Sequence, residues 1–429
     1  MKLTPLAIIM TRRVLVPALT FTTCLSLFGS PEGSAGYVAH EWGTFTSVQD
    51  ANGELQRWRP LQKVELPDFV YDWYRAGYGR QCTSEFMGFK SDILSLQRME
   101  TPVIYFYSPI ERKVDVSVRF PEGLITEWYP QAHQIGPSTV RQDYQSACDA
   151  TTQESRALWA GVQILPSAAK ATLKPANGSA SHYFTARATE ANPLRIPIAG
   201  ATGLTESEKF IFYRGVGNFS SPLKVSLSAT DALTIGNTGE ESLRHLFVLS
   251  VHDGSASFTS VDQVSGHGSQ TVPLRGFRAV NGGKLASTLG TMMKEALINE
   301  GLYRAEAESM VNTWADSWFE EDGIRVLYVL PRRWTDTTLP IQMQPAAREL
   351  VRVMVGRAEV LPPVLTKTLS VEIKAALGGD VAARKTVTIR LKKLGRFAEP
   401  AVNVAFADAP SKLKDEACTF VWESRRASR

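Results

Sequence analysis

The chain has 429 residues, 44% of them hydrophobic, and its 47 Lys and Arg against 43 Asp and Glu give a formal net charge of +4 at pH 7. A chain of this length and composition can bury two or three ordinary hydrophobic cores, so it does not need disulfides in order to fold. The nearly balanced charge gives no sign of a nucleic acid or an acidic macromolecule as partner.

The N-terminal segment, residues 1–36, has the three parts of a cleavable signal peptide. Arg12 and Arg13 precede the apolar run 14–28, small and polar residues follow, and Ala35 or Gly36 offers a cleavage site. The apolar run is shorter than the roughly 20 residues of a membrane-spanning helix, and no second long apolar run follows it. We therefore expect a soluble mature protein without a membrane span, located in the periplasm or secreted.

The cysteine pattern leaves two alternatives open. Cys24 lies in the leader, but Thr23 precedes it where a lipid-attachment sequence has Gly, Ala or Ser, which disfavours lipidation. Cys82, Cys148 and Cys418 survive cleavage, an odd number in a compartment that oxidises thiols. Either Cys82 and Cys148 form one disulfide or all three cysteines stay reduced, and the sequence favours neither.

The segment 37–280 is predicted to be a β-rich domain. Short runs of β-branched and aromatic residues are separated by Gly, Pro, Asn and Asp at intervals typical of turns, and His252-Asp253-Gly254 predicts a tight hairpin. Strands of this length and spacing indicate an antiparallel, sandwich-like architecture. The clearest predicted strands are 103–107, 114–120, 210–213, 223–227 and 246–251.

Helical spacing begins in the next segment, 281–362, which is predicted to be mixed and packed on the β-rich domain. Apolar residues recur every three or four positions in 285–297, Gly301 interrupts the pattern, and 307–318 repeats it. Two helices joined in a hairpin are therefore expected. The same segment contains two strand-like runs, 324–330 and 350–355.

The last segment, 363–429, is predicted to be helical. The run 365–377 has helical spacing, whereas 387–394 fits both a strand and a helix, and we favour a helix because Ala382 and Ala383 lead into it. The chain as a whole is thus predicted to have an α+β fold, with a β-rich, sandwich-like N-terminal portion and a mixed, helix-containing C-terminal portion.

Six motifs are spread over the mature chain: His40-Glu41-Trp42-Gly43-Thr44-Phe45-Thr46, Arg98-Met99-Glu100-Thr101-Pro102-Val103, Ile125-Thr126-Glu127-Trp128-Tyr129-Pro130, Phe212-Tyr213-Arg214-Gly215-Val216-Gly217, Thr313-Trp314-Ala315-Asp316-Ser317-Trp318-Phe319 and Val351-Arg352-Val353-Met354-Val355-Gly356-Arg357. Together they resemble a family of uncharacterised exported bacterial proteins. The resemblance implies one inherited architecture over most of the mature chain, and it implies no activity.

The first motif places a titratable ring, a carboxylate and a large aromatic at consecutive positions. His40 and Trp42 are candidate ligand-binding residues, and Glu41 is a candidate catalytic carboxylate. On a strand, however, His40 and Trp42 point to one face and Glu41 to the other, so the three cannot converge on one ligand unless a bulge intervenes. The alternative interpretation is an edge strand that places Trp42 in the core.

Glu100 and Glu127 are the other candidate catalytic residues. Both stand beside apolar or aromatic neighbours, a setting that raises the pKa of a carboxyl group, and Trp128 and Tyr129 could stack on a sugar ring. Two such carboxylates, about 5 to 9 Å apart, would suit a glycosidase. The alternative is that Glu100 pairs with Arg98, Arg119 or Arg214 and that Trp128 and Tyr129 are core residues. Arg214 either binds an anionic ligand or pairs with a buried carboxylate.

No metal site and no cofactor is predicted. The six histidines are scattered, and the chain has no zinc-binding, calcium-loop, serine-nucleophile or dinucleotide-binding motif. A site assembled from distant strands, for example by His40, His133 and His182, is the alternative.

The sequence therefore predicts a non-enzymatic binding or structural protein of the cell envelope. Nine Trp, twelve Tyr and scattered Arg provide contact groups, and a glycan or an envelope protein is the expected class of partner. The alternative is a hydrolase acting on glycans or related polymers through Glu100 and Glu127. The neighbourhood of Glu127 separates the two hypotheses, because a hydrolase needs two carboxylates converging in a cleft.

Overall fold

A computed structural model describes residues 36–61, 66–72, 93–136, 155–176, 181–228, 232–274 and 278–426. These ranges belong to one compact unit, Gly36–Arg429. The signal peptide, the lipidation of Cys24 and the pairing of Cys82 with Cys148 lie outside the described residues and stay predictions.

Sixteen of the described strands lie between residues 38 and 281, and three more lie between residues 323 and 360. They are β1 (Val38–Gln49), β2 (Tyr71–Asp72), β3 (Gln97–Tyr107), β4 (Arg112–Phe120), β5 (Gly123–Tyr129), β6 (Gln134–Gly136), β7 (Ser155–Ile164), β8 (Leu194–Pro197), β9 (Thr205–Glu208), β10 (Ile211–Gly217), β11 (Leu223–Leu227), β12 (Ala232–Asn237), β13 (Leu243–His252), β14 (Ser255–Val264), β15 (Ser269–Pro273), β16 (Arg278–Asn281), β17 (Gly323–Val329), β18 (Ile341–Gln344) and β19 (Glu349–Val360).

The helices are concentrated after residue 281. They are α1 (Gly282–Asn299), α2 (Arg304–Phe319), α3 (Arg332–Thr338), α4 (Pro363–Leu377), α5 (Val381–Leu394), α6 (Ala398–Ala405) and α7 (Ser411–Arg426), with short 3₁₀ turns at His182–Arg187 and Gly395–Phe397.

These strands form three sheets. The large sheet has ten strands in the order β16-β14-β13-β17-β19-β1-β3-β10-β5-β2, a second sheet has the order β18-β4-β7-β8-β9 with β6 beside β7, and a third has β11-β12-β15. The pair β1–β19 is parallel, and the other named strand pairs are antiparallel. A parallel pair needs a long crossover, which this chain provides by bringing its first strand beside its last.

Two hydrophobic cores cover opposite faces of the large sheet. On one face, Phe45, Met99 and Met354 pack against the two smaller sheets, including Val116 and Ile235. This face forms a sandwich. On the other face, side chains of β1, β3, β10, β17 and β19 pack against the hairpin of α1 and α2.

A third core holds the C-terminal helices together. It contains apolar side chains of α4 to α7, and Val48, Trp58 and Leu361 join it from the sheet side. Val48 lies near the end of β1, four positions after Thr44, and side chains an even number of positions apart on a strand point to the same face. This core therefore lies on the same face of the sheet as the α1–α2 hairpin.

The structure confirms the predicted α+β class and its division into a β-rich N-terminal part and a helix-containing C-terminal part. The run 387–394 is helical within α5, and the 252–254 hairpin has positive φ at Asp253 (48°) and Gly254 (76°), as a type I′ turn requires. The edge-strand interpretation of His40–Trp42 is wrong. Strand β1 lies between β19 and β3 and is buried on both faces, although Trp42 does enter the core as predicted.

Candidate functional site

A belt of charged and polar side chains, most of them buried, crosses the helix-facing side of the large sheet, and we call it the ionic belt. Its position is clearest on β19 and just beyond, where Val355 belongs to the core of the α1–α2 hairpin and Leu361 to the core of the C-terminal helices, while Arg357 and Glu359 lie between them on the same face. The belt thus separates two apolar cores. Its members are Thr46, Arg98, Glu100, Glu127, Arg214, Ser317, Glu321, Arg325, Arg357, Glu359 and Arg396.

Irregular strand pairing surrounds the belt. The register shifts between Trp42 and Thr44 in the β1–β3 pair, and β10 shifts against both of its neighbours around Arg214. Thr101, at the centre of β3, has φ of 51°, a conformation that a β-branched residue rarely adopts. Bulges and strained residues of this kind are frequent beside functional sites, because they re-aim side chains.

Glu127 lies on β5 directly across from Arg214 on β10. Arg214 Nε and Nη2 donate to the two carboxylate oxygens at 2.8 and 3.0 Å, and Thr126 Oγ1 also donates to Glu127. Both members of the pair are buried. This bidentate geometry neutralises the glutamate, so of the two roles predicted for Arg214 the structure has the pairing with a carboxylate.

Glu100 pairs with two other arginines. Its Oε1 accepts from Arg396 Nη1 at 2.8 Å and from Thr46 Oγ1 at 2.5 Å, and its Oε2 lies 3.6 Å from Arg98 Nε. Burial alone would raise the pKa of Glu100, but Arg396, Arg98 and the Thr46 hydroxyl stabilise the charged form and lower the pKa to about 2. A carboxyl group with this pKa is ionised at neutral pH and cannot act as a general acid.

The remaining part of the belt connects the sheet to the end of α2. Arg357 donates to Glu359 and Glu321 at 2.8 and 2.7 Å, and Arg325, on the neighbouring strand, donates to the same Glu359 at 3.2 Å. Arg357 also donates to the carbonyl of Ser317 at 2.7 Å. These contacts satisfy acceptors at the C-terminus of α2 with cationic donors, which also favours the helix dipole.

Glu41 lies on the opposite face of the sheet from the belt. Arg352 Nε donates to Glu41 Oε2 at 2.6 Å, Tyr213 donates to Oε1, and Arg352 Nη1 donates to Asp336 on α3 at 2.8 Å. The alternation predicted for His40-Glu41-Trp42 is therefore present, and Glu41 does not join Glu100 or Glu127.

His40 and Trp42 face the α1–α2 hairpin. His40 Nδ1 lies 2.8 Å from Glu306 Oε2, and Tyr107 donates to Oε1 of the same residue at 2.6 Å. Glu306 is fully buried and also accepts a hydrogen bond of 2.8 Å from the backbone N–H of Tyr303, the residue that caps the N-terminus of α2. The group holds the helix against β1 and β3.

Trp42, Trp128 and Tyr129 are core residues with no exposed surface. Trp128 packs between the large sheet and the smaller sheets, whereas Tyr129 and Trp42 pack under the α1–α2 hairpin. Their apolar area is used in folding, so these three aromatics, predicted as ligand-binding residues, form no ligand surface. Neither does His40, which is 1% exposed.

An open cleft of about 480 Å³ lies on the second sheet. It is lined by two residues of β4, Lys113 and Asp115, and by Gln344 at the end of β18. His133, just before β6, and Gly161 of β7 complete the lining described here. Asp115 accepts from the Gly161 N–H at 2.6 Å, and His133 Nδ1 accepts from the Ala160 N–H at 3.1 Å. Both side chains are thereby held in place at the wall of the cleft.

The side chains that line the cleft include hydrogen-bond donors and acceptors. Burial lowers the pKa of His133, with Asp115 opposing the shift, so the ring is neutral at pH 7. Since Nδ1 accepts a hydrogen bond, Nε2 carries the proton and is a donor. The sequence prediction missed Lys113, Asp115 and Gln344, because alternating polar residues on strands are ordinary surface positions.

The sequence prediction also missed most arginines of the belt. A signal was present, since Arg325 interrupts the apolar run of β17 and Arg357 interrupts that of β19. Charged residues are almost never fully buried unless they are paired, so a charge within a core strand indicates a buried partner.

No group of three metal-ligating side chains occurs within the ranges that the structure describes. His40, His133 and His182 lie apart, on β1, before β6 and at the start of a 3₁₀ turn. Cys418, half-buried on α7, donates its thiol to Asn403 at 3.4 Å. Of the helices described here, none has both the length and the apolar character needed to cross a membrane.

No family model and no curated protein matches the chain. Solved structures with some likeness include the yeast delta-COP-I mu-homology domain complexed with the Dsl1 WxWxV peptide, with a TM-score of 0.27, 8% identity, and coverage of 76% of this chain and 99% of that one. The same yeast domain without the peptide gives a TM-score of 0.25, 7% identity, and coverage of 76% and 98%. Similarity at this level carries no argument about this chain.

Proposed function

We propose that the chain is a non-enzymatic binding or structural protein of the bacterial cell envelope, periplasmic or secreted. One observation carries the proposal: each carboxylate that the sequence offers as a catalytic group is buried and paired with its own arginine. Glu41 pairs with Arg352, Glu100 with Arg396 and Glu127 with Arg214. The charges of the motifs thus hold elements together and leave no acid and base facing a substrate.

The hydrolase alternative receives no support from this geometry. A glycosidase needs one carboxyl group that is protonated near neutral pH and a second that is ionised, both reaching one bond of the substrate. Glu100 has a strongly lowered pKa, and Glu127 is engaged on both oxygens by Arg214.

The open cleft supports a binding role for the second sheet. A cation, a carboxylate, an amide and a neutral imidazole face one space through Lys113, Asp115, Gln344 and His133. Such groups complement the hydroxyl groups of a carbohydrate, because each hydroxyl can both donate and accept hydrogen bonds. We propose a neutral glycan as the ligand of this cleft.

The location is tested by expressing the full chain in a bacterial host and fractionating the cells. The expected result is a mature protein in the periplasm or medium whose first residue is Gly36 or Tyr37. Uncleaved protein in the cytoplasm would contradict the envelope assignment.

Binding is tested by calorimetric titration of the purified mature protein with a panel of neutral oligosaccharides. Lys113→Ala and Gln344→Ala should weaken binding about tenfold each, because each removes hydrogen bonds to the ligand. Lys385→Ala, at an exposed position on α5, is the matched control. Hydrolysis of the oligosaccharides that Glu127→Gln abolishes, with folding retained, would overturn the proposal in favour of an enzyme.

A further inference from the structure

We propose that Arg98 and Arg396 form a binding site for an oxyanion of carboxylate or phosphate type at the edge of the ionic belt. The site is separate from the cleft on the second sheet, and the inference does not depend on the proposed function.

Arg98 is the belt arginine whose charge is least satisfied. It is 9% exposed, and its nearest carboxylate oxygen, Glu100 Oε2, lies 3.6 Å from Nε, beyond hydrogen-bond distance. Its Nε is buried without a hydrogen-bond partner, and Arg98 donates no hydrogen bond to any residue in the described ranges. The Nε–H group of this guanidinium has lost its water without gaining a hydrogen bond, and the electrostatic attraction of Glu100 offsets only part of that cost.

The charges around Arg98 do not balance. Among the described residues, the belt contains the five arginines 98, 214, 325, 357 and 396 and the four glutamates 100, 127, 321 and 359. Burial lowers the pKa of Arg98 to about 10, because the attraction of Glu100 does not offset burial and the repulsion of Arg214 and Arg396. An added anion would supply the missing charge.

Arg396 provides the second half of the site. Its Nη1 contacts Glu100 at 2.8 Å and its Nη2 contacts Ser317 Oγ at 3.0 Å, while its Nε is buried and has no hydrogen-bond partner among the described residues. The side chains of Arg98 and Arg396 flank Glu100 and retain 10% and 20% exposure, while the unpartnered Nε of each is buried. Two guanidiniums with free N–H groups are the arrangement that binds planar or tetrahedral oxyanions.

The backbone beside Arg98 is held in a strained conformation. Thr101, one residue after Glu100, has φ of 51° and precedes Pro102, which further restricts its conformation. Strain at such a position persists where the surroundings over-determine it, and it clusters at ligand sites. Here it shifts the register of β3 and brings Arg98 and Glu100 onto the helix-facing side together.

The test uses the purified mature protein with three probes: inorganic phosphate, acetate and chloride at matched ionic strength. We expect phosphate or acetate to raise the melting temperature more than chloride does, and calorimetric titration to show one site per chain. Binding of phosphate alone identifies a phosphate-type ligand, and binding of acetate as well identifies a carboxylate-type ligand. No difference from chloride would overturn the proposal.

Variants separate ligand binding from a structural role. Arg98→Gln should weaken anion binding about tenfold or more, and phosphate or acetate should no longer raise its melting temperature above the value in chloride. Arg119→Gln, at an exposed position on β4, is the matched control and should bind like the wild type. Wild-type anion binding by Arg98→Gln, or equally weakened binding by Arg119→Gln, would overturn the inference.

Discussion

Arg214 and Glu127 face each other across the β10–β5 pair, and two hydrogen bonds of 2.8 and 3.0 Å join the guanidinium to the carboxylate. Both belong to motifs that the sequence singled out as candidate chemistry. Their geometry turns two candidate catalytic or binding residues into one structural unit, because neither has a charge left for a substrate.

The first prediction concerns this pair. Arg214→Met should destabilise the protein by about 3 to 5 kcal/mol, because it leaves the Glu127 carboxylate buried without its cation. The double variant Arg214→Met, Glu127→Leu should recover much of that loss, since it removes both charges and keeps the volume. Urea denaturation followed by circular dichroism measures both. Equal stability of the single variant and the wild type would show that the pair is not buried in solution.

The second prediction concerns pH. The folded-state pKa of Glu100 is lowered from 4.5 to about 2, so its ionised form stabilises the folded state above about pH 4.5, and this contribution is lost as the pH falls towards 2. At neutral pH, Glu100→Gln should therefore cost on the order of 3 kcal/mol. The difference from the wild type should shrink between pH 4.5 and pH 2, where the wild-type carboxyl group becomes protonated.

Urea denaturation at a series of pH values checks the Glu100 prediction. The matched control is Glu122→Gln, in the exposed turn between β4 and β5, which should follow the wild type throughout. A stability gap for Glu100→Gln that stays constant down to pH 2 would mean that Arg396 and Arg98 do not hold the carboxylate in its charged form.

Local patterns were sufficient to predict the elements of the fold. The alternation of Val114, Val116 and Val118 with polar residues predicts a strand, because side chains on a strand point alternately to its two faces. These three valines are buried on one face of β4, as that alternation predicts. The helical spacing of 285–297 likewise becomes α1. These signals depend only on residues a few positions apart.

The pairing of the charges could not be predicted in the same way. Glu100 and Arg396 are 296 positions apart, and Glu41 and Arg352 are 311 apart, so only the tertiary fold decides that they meet. The sequence named arginines as partners in general and proposed Arg98, Arg119 or Arg214 for Glu100. Arg98 does lie beside Glu100, whereas the short hydrogen bond comes from Arg396, and the side chain of Arg119 is exposed.

The third prediction concerns the group that holds α2 to the sheet. Tyr107→Phe removes the hydrogen bond of 2.6 Å to Glu306, a carboxyl group with no exposure, and should cost about 1.5 to 3 kcal/mol. Tyr303→Phe is the control, because its ring also contacts His40 while the residue is 46% exposed. Thermal and urea denaturation should show a lower melting temperature and a lower free energy of unfolding for Tyr107→Phe than for Tyr303→Phe. Equal stability of the two variants would argue against the Tyr107 contact.

The fourth prediction concerns the bulge next to Arg214. A Cβ at Gly215 would lie 2.2 Å from the carbonyl oxygen of Leu124, a backbone atom of β5 that cannot move without breaking the β10–β5 pairing. Gly215→Ala should therefore destabilise the protein by about 1 to 3 kcal/mol. Gly236→Ala on β12, where the nearest atom is 3.5 Å away, is the matched control and should change stability little.

The same substitution also bears on the anion site. Because Gly215 lies opposite Met99 on β3, a displaced β10 would shift the neighbouring Arg98 as well. Gly215→Ala should then weaken binding of phosphate or acetate, whereas Gly236→Ala should leave it unchanged, as calorimetric titration of the folded variants can measure. Unaltered anion binding by a destabilised Gly215→Ala protein would show that Arg98 keeps its position independently of the bulge.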